Sequence, residues 1–409
     1  MSLHRRGFLG AAAATVAGAA VAGFTTATEK NPTSTSPGAS PASRTIPFHG
    51  PHQAGILTDR QDAAAFVAFD VTAANRGELA DLLHDLTDRA RRLAAGGTPP
   101  EEGISAPPAD SGLLGVPIPA GGLTVTVSVG ASLFDDRYGL TAKRPKQLRQ
   151  MDTFPDDDLD VARCDGDLLL SICADQRDVV LHALRDIARH TRGGMQPRWR
   201  VDGFAGPPRP AGTPRNLLGF RDGTANPDVH DPREMDKLIW VQAGGNEPAW
   251  AVGGSYHVIR VIRMLVEFWD RVTLSEQERM IGRRRDSGAP LSGNVETDIP
   301  QYGNDANGAT IPLDAHIRLA NPRTQATDAN RILRRGYNYD AGIDINGNLD
   351  MGLVFNAFQQ DLGRQFVTVQ KRLAGEPLVD YISPVGGGYF FALPGLPSVG
   401  SSYADRLLA

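Results

Sequence analysis

Gly206-Pro207-Pro208-Arg209-Pro210-Ala211-Gly212-Thr213-Pro214 divides the chain. Proline fixes φ and has no amide hydrogen, and glycine loses the most freedom when ordered, so helix and strand interiors both reject such a run. Residues 206–214 therefore read as a linker between an N-terminal domain at 47–205 and a C-terminal domain at 215–409.

The two sides share a layout. In the first, Ala63 to Val71 and Leu123 to Val129 have strand composition, the latter alternating Leu123, Val125, Val127, Val129. Between them Leu79, Leu82, Leu83, Leu86, Ala90 and Leu93 recur at helical spacing. A strand at Asp167 to Ala174 precedes a helix carrying Val180, Leu184 and Ile187. In the second, Tyr256 to Ile262 reads as a strand, Met264 to Ile281 as helical, and Asp350 to Phe358 as a strand before a helix with Phe366, Val369 and Leu373. The strand–helix units at 167–190 and 350–374 look like a diverged internal duplication. The expected class is α+β, with a split βαβ, ferredoxin-like unit in each half.

The N-terminus carries a targeting pattern. His4-Arg5-Arg6-Gly7-Phe8-Leu9 precedes an apolar, alanine-rich run from Ala11 to Phe24. Adjacent arginines with Phe-Leu beyond them resemble a twin-arginine export signal, assigned to 1–27, with cleavage after Ala22 or Ala27. The run is too short and mild for a stable membrane span. Residues 28–46, rich in Pro, Ser and Thr, read as a flexible linker. The protein is thus expected outside the cytoplasm, in the envelope or beyond the cell. Cys164 and Cys173 fit no zinc or haem-attachment spacing and read as small buried hydrophobes, with a disulfide between them as the alternative in an exported protein. With a net charge of −5, nothing suggests a nucleic-acid footprint.

The chemistry concentrates in the second half. Gly219-Phe220-Arg221-Asp222-Gly223-Thr224-Ala225-Asn226 sets one acid among small residues that let backbone approach a flat ligand. Downstream come Asp314-Ala315-His316-Ile317-Arg318-Leu319-Ala320-Asn321-Pro322-Arg323 and then Ile332-Leu333-Arg334-Arg335-Gly336-Tyr337. One histidine, one acid and one arginine are the requirements of a haem peroxidase: an axial ligand, a proton shuttle and a positive charge. In this order and spacing they resemble the dye-decolorizing peroxidases, in the twin-arginine-exported, deferrochelatase/peroxidase-like branch. The resemblance runs from about Phe48 to about Pro394.

That resemblance implies tandem ferredoxin-like domains of the dimeric α/β-barrel type, with non-covalent haem b in the C-terminal half. It implies His316 as the axial iron ligand, Asp222 as the distal acid–base and Arg334, rather than its neighbour Arg335, as the distal cation. A ligating imidazole needs its second nitrogen hydrogen-bonded. The family supplies an acid from near the C-terminus, and Asp380 matches best, with Asp314 as the local competitor. Backbone of Gly223, Thr224 and Ala225 is expected on the distal face. Asn321, Pro322 and Arg323 follow the ligand, with Arg323 placed to pair a propionate. Leu353, Phe355 and Phe366 are candidate apolar walls, with ordinary core as the competing reading.

The expected function is an exported haem b peroxidase that uses hydrogen peroxide to oxidise dyes, phenolics or other one-electron donors through an oxoferryl intermediate. The alternatives are release of iron from haem, or haem binding without turnover. Because aspartate titrates near 4, below histidine, an acidic optimum is expected. Partners are peroxide, small-molecule or dye donors and the export machinery, with a homo-oligomer left open. His49-Gly50-Pro51-His52 and Asp344-Ile345-Asn346-Gly347-Asn348 are set aside as a strand entry and a hairpin turn rather than metal sites.

Overall fold

The computed structural model describes residues 44–409. The export signal read at 1–27 lies outside the described residues, as does most of the linker read at 28–46.

The first half runs β1 (Ala63–Val71), α1 (Arg76–Ala95), β2 (Thr124–Gly130), β3 (Leu168–Ala174), α2 (Arg177–His190) and β4 (Met195–Phe204). Helix α1 begins where Asn75 accepts the Glu78 amide at 3.1 Å and Glu78 reaches back to the Ala74 amide at 2.8 Å. It ends at Gly96, whose φ of 65° is in the left-handed region that glycine tolerates. Leu79, Leu82, Leu83, Leu86 and Ala90 form its buried stripe, each leucine contributing about 1.5–3 kcal/mol by leaving water. The strands align in the order β2-β3-β1-β4, the antiparallel arrangement of a ferredoxin-like unit.

The second half repeats it with β5 (Ser255–Met264), β6 (Leu333–Arg334), β7 (Tyr337–Ile343), β8 (Leu349–Gln359) and β9 (Ile382–Ala392). β5 lies between β9 and β8, and β8 continues to β7. Where the first half has the single helix α1, the second inserts residues 265–336, which carry His316 and end on β6. The helix expected over Met264 to Ile281 is a correction: Met264 ends β5, and two helices follow, Val266–Trp269 and Leu274–Ile281. Thr273 breaks the run by accepting the Glu276 amide at 3.3 Å, a cap that only a helix start can use.

The halves join into one closed antiparallel barrel. β2 pairs with β9 through Ser128–Ala392, Val129–Phe391 and Gly130–Phe390, β4 pairs with β7 through Phe204–Asn338, and β5 pairs with β8. Side chains alternate across the wall. Val125, Val127 and Val129 pack in the core under the helices, while Phe66, Leu169, Trp199, Ile259, Tyr337, Val354 and Phe390 share a second core drawn from both halves. Hydroxyls of β2 are satisfied there: Thr126 donates to the Ala54 carbonyl at 2.7 Å, and Ser128 meets His257 Nδ1 at 2.8 Å.

Cys164 and Cys173 are free thiols, both buried. His52 is bonded through Nδ1 to the Gly253 carbonyl at 2.7 Å and stacks on Trp240. Asp344 accepts the amides of Asn346 at 2.8 Å and Asn348 at 2.9 Å and pairs with Arg263, so that loop is a hairpin turn with its carboxylate already used. Among the described residues no cluster of three or more His, Cys, Asp or Glu is placed to hold a metal ion.

Candidate active site

His316 opens a short helix, His316–Ala320, after a tightly bonded loop. Asp305 accepts the amides of Ile311 at 2.8 Å and Thr310 at 3.1 Å, which hold its carboxyl below the usual carboxylate range. Arg318 ties the helix to that loop through the Asp305 carboxylate at 3.2 Å and the Ile311 carbonyl at 2.8 Å. The imidazole therefore projects from a fixed base.

Nδ1 of His316 lies 2.9 Å from Glu376 Oε2 and 3.0 Å from Oε1. The acid expected at Asp380 is thereby corrected to Glu376. Glu376 is 3% exposed, whereas Asp380, in the turn Pro377–Tyr381, faces solvent, and so does Asp314. A carboxylate in water screens its charge and holds no fixed geometry, whereas a buried one orients the ring. Glu376 follows the helix Thr368–Leu373, which packs against His316–Ala320, so the chain leaving that helix carries the acid to the imidazole. Burial acts against the imidazolium, but the charge and hydrogen bond of Glu376 outweigh it and place His316 above the ordinary histidine value. Among the described residues Nε2 has no hydrogen-bond partner, and the side chain remains 29% exposed.

Asp222 and Arg334 form an ion pair at 3.2 Å, Arg334 NH1 to Asp222 Oδ1. The Arg334 guanidinium disfavours and the Asp222 carboxylate favours a proton on His316, so both lie within electrostatic reach of the imidazole. Strand alternation decides between the neighbouring arginines. Arg335 is buried on the other side of β6, bonded to the Thr58 carbonyl and to Gln61 Oε1 at 3.0 Å. Gly336 has a steric reason to be glycine: a Cβ there would lie 2.9 Å from Asp222 Oδ2 and 3.3 Å from Leu353 Cδ1.

The Asp222 loop is fastened from several sides. The Asp222 amide donates to the Pro214 carbonyl at 3.0 Å. Gly223 turns with φ 108°, and Thr224 directs its hydroxyl to Glu296 at 2.8 Å, while Ala225 stays half-buried beside it. Glu296 also accepts the Thr213 amide at 3.2 Å and pairs with Arg221 at 3.1 Å. Burial pushes the Glu296 carboxyl up, but the bonds from Thr213 and Thr224 win and leave it below the usual range. Asn226 bonds both backbone groups of Arg334. Glu376, Glu296 and Asn226 were not singled out from the sequence. Their partners lie 60, 72 and 108 residues away, and no local pattern announces such contacts.

Beyond the His316 helix, Asn321 accepts the Arg323 amide at 3.2 Å, and Arg323 is exposed at φ 55°, an unusual conformation for a non-glycine residue. Pro322 between them is half-buried. Arg318 lies over the Tyr302 ring at 5.0 Å, and the buried Tyr302 hydroxyl has no hydrogen-bond partner among the described residues, its pKa pushed up by burial to about 12. Leu353 and Phe355 are half-buried on one face of β8, but Phe366 is core, 3% exposed and edge-on to Phe154 and Tyr389.

These residues fit a haem. An imidazole with a bonded Nδ1 and an unpartnered Nε2 suits an axial ligand, and the unpartnered Tyr302 hydroxyl suits a carboxylate group. The family models agree with the geometry: that for the N-terminal part of Dyp-type peroxidases matches residues 53–205, and that for the C-terminal part matches 213–397. The chain is a Dyp-type peroxidase. As such it is a haem peroxidase that binds haem b, with hydrogen peroxide and an electron donor as its substrates. It is 50% identical over 367 residues to the deferrochelatase of Escherichia coli (strain K12), covering 88% of this chain and 87% of that one. Deferrochelatase of Yersinia pestis bv. Antiqua (strain Nepal516) is 50% identical over 366 residues, covering 88% and 84%. Ferric DtpA from Streptomyces lividans superposes with a TM-score of 0.81 at 38% identity, covering 91% of this chain and 100% of that one. The Dyp-type peroxidase from Cellulomonas bogoriensis gives 0.80 at 36% identity, covering 90% and 99%.

Proposed function

We propose that this peroxidase oxidises dyes, phenolics or similar one-electron donors with His316, Asp222 and Arg334 as its working residues. The observation that carries the reading is the Asp222–Arg334 ion pair at 3.2 Å, within electrostatic reach of an imidazole whose Nε2 is unpartnered among the described residues. Bound haem supplies the redox centre. His316 Nε2 would hold the iron, and Glu376 would accept the Nδ1 hydrogen and fix the ring plane. Arg323, exposed beyond the His316 helix, would pair a propionate. Asp222 would move a proton from one oxygen of peroxide to the other, which leaves as water, the bound haem supplying the two electrons that breaking the O–O bond requires. Arg334 stabilises the negative charge that gathers as the O–O bond breaks. The test is stopped-flow mixing of ferric holoenzyme with one equivalent of peroxide. A rapid optical change that a dye reverses supports the reading, and no rapid change in the presence of bound haem overturns it.

A second reading, removal of iron from haem with the macrocycle intact, is favoured by the 50% identity to the Escherichia coli deferrochelatase. Iron-free porphyrin formed from added haem would establish it, and intact haem recovered after prolonged incubation would rule it out. The paired arginines Arg5 and Arg6 support twin-arginine export. Replacing both with lysine should retain the unprocessed chain in the cytoplasm, and unchanged export would remove this reading.

A further inference from the structure

We propose that Asn226 is a positioning residue that locks Arg334 to the Asp222 loop, so that the distal acid and the distal cation behave as one rigid unit. The inference rests on the roles given above to Asp222 and Arg334. β6 is two residues long, and Arg334 lies opposite Ala357 of β8. The Arg335 amide, not that of Arg334, bonds to β8, through the Asn356 carbonyl at 2.7 Å. The amide and carbonyl of Arg334 therefore face away from β8, where an ordinary sheet would place another strand. Asn226 fills that place with a side chain. Its Oδ1 accepts the Arg334 N–H at 3.1 Å, and its Nδ2 donates to the Arg334 carbonyl at 2.7 Å, copying both bonds of a strand neighbour.

The Asn226 amide in turn donates to the Gly223 carbonyl at 3.0 Å, closing the turn that begins one residue after Asp222. The backbones of Asp222 and Arg334 are thus joined by a path of three hydrogen bonds, independent of their own ion pair. Only a primary amide one methylene from the backbone offers a donor and an acceptor at this reach. Aspartate keeps the acceptor and loses the donor.

The experiment compares Asn226→Asp, Asn226→Ala and Asp222→Asn holoenzymes by fluoride binding to the ferric form, which reads hydrogen-bond donation from the distal cation, and by the stopped-flow peroxide step. The expected result for Asn226→Asp is a fluoride Kd raised about tenfold and a peroxide step slowed about tenfold, with donor KM and the resting absorption spectrum unchanged. Asn226→Ala should do the same and also lose hydrogen-exchange protection at the Arg334 amide. If Asn226→Ala does not fold, Asn226→Asp alone decides. A variant that melts earlier yet keeps fluoride affinity and peroxide rate overturns the proposal, since a merely structural role would do only that. If Asp222→Asn leaves the peroxide step untouched, the underlying assignment of Asp222 fails instead, and the fluoride result still tests Asn226.

Discussion

Glu376 holds Nδ1 of His316 at 2.9 Å from a carboxylate that is 3% exposed. Such a partner fixes the ring and makes Nε2 a stronger donor, and losing it typically costs about 10–100-fold in metal affinity or activity. Glu376→Gln should therefore raise the haem reduction potential and lower activity within that range, while Asp380→Asn should change neither. Potentiometry on both variants checks it, and equal potentials would return the question to Asp380.

Asp222 and Arg334 should both act on the peroxide step, unlike Arg335. Removing a positioned proton shuttle costs about 10²–10⁴-fold, so Asp222→Asn should slow the peroxide step on that scale. Arg334→Leu removes charge stabilisation and should cost about 10²–10³-fold. Arg335→Leu should instead lower the melting temperature, because its guanidinium is buried against the Thr58 carbonyl and Gln61.

Gly336→Ala is a steric test of the same site. The added methyl meets Asp222 Oδ2 at 2.9 Å, and a carboxylate at the end of a side chain yields more easily than backbone. The variant should fold, bind haem and show a peroxide step slowed at least tenfold. Full activity would mean that Asp222 works from a different position.

His257 predicts an acid limit on stability. It is fully buried between Ser128 at 2.8 Å and Asn356 at 2.7 Å, and burial lowers its pKa from 6.5 to about 4. The unfolded chain takes up a proton below 6.5 that the folded chain refuses until about 4. Stability from this residue is therefore complete above pH 6.5 and drains away as pH falls towards 4, by at most about 3 kcal/mol at 1.36 kcal/mol per unit. His257→Gln should flatten denaturant-derived stability across that interval. An unchanged slope would mean that other groups set it.

Periodicity made the framework legible. The leucines of α1 form one buried stripe, and Val125, Val127 and Val129 of β2 share one core although every residue of that strand is buried. The strands that complete each half were harder to read. β4 places Pro197 and arginines on an exposed face, and β9 runs through Gly386, Gly387 and Gly388. Gly387 is there because a Cβ would fall 2.0 Å from the Ile259 carbonyl oxygen, a reason that exists only once β5 lies beside it. At the site, His316, Asp222 and Arg334 stand in recognisable local strings. Glu376 instead acquires its role from burial and from its 2.9 Å contact with His316 Nδ1, neither of which its local string marks.

The β2–β9 and β4–β7 seams have a practical consequence for how this protein can be made. Neither half owns a finished sheet: each, produced alone, would present two raw margins able to recruit other chains. Cleaved in the proline-rich stretch 206–214 and co-expressed, the two fragments should complement each other into an active pair, whereas the haem-bearing fragment by itself should be recovered as aggregate.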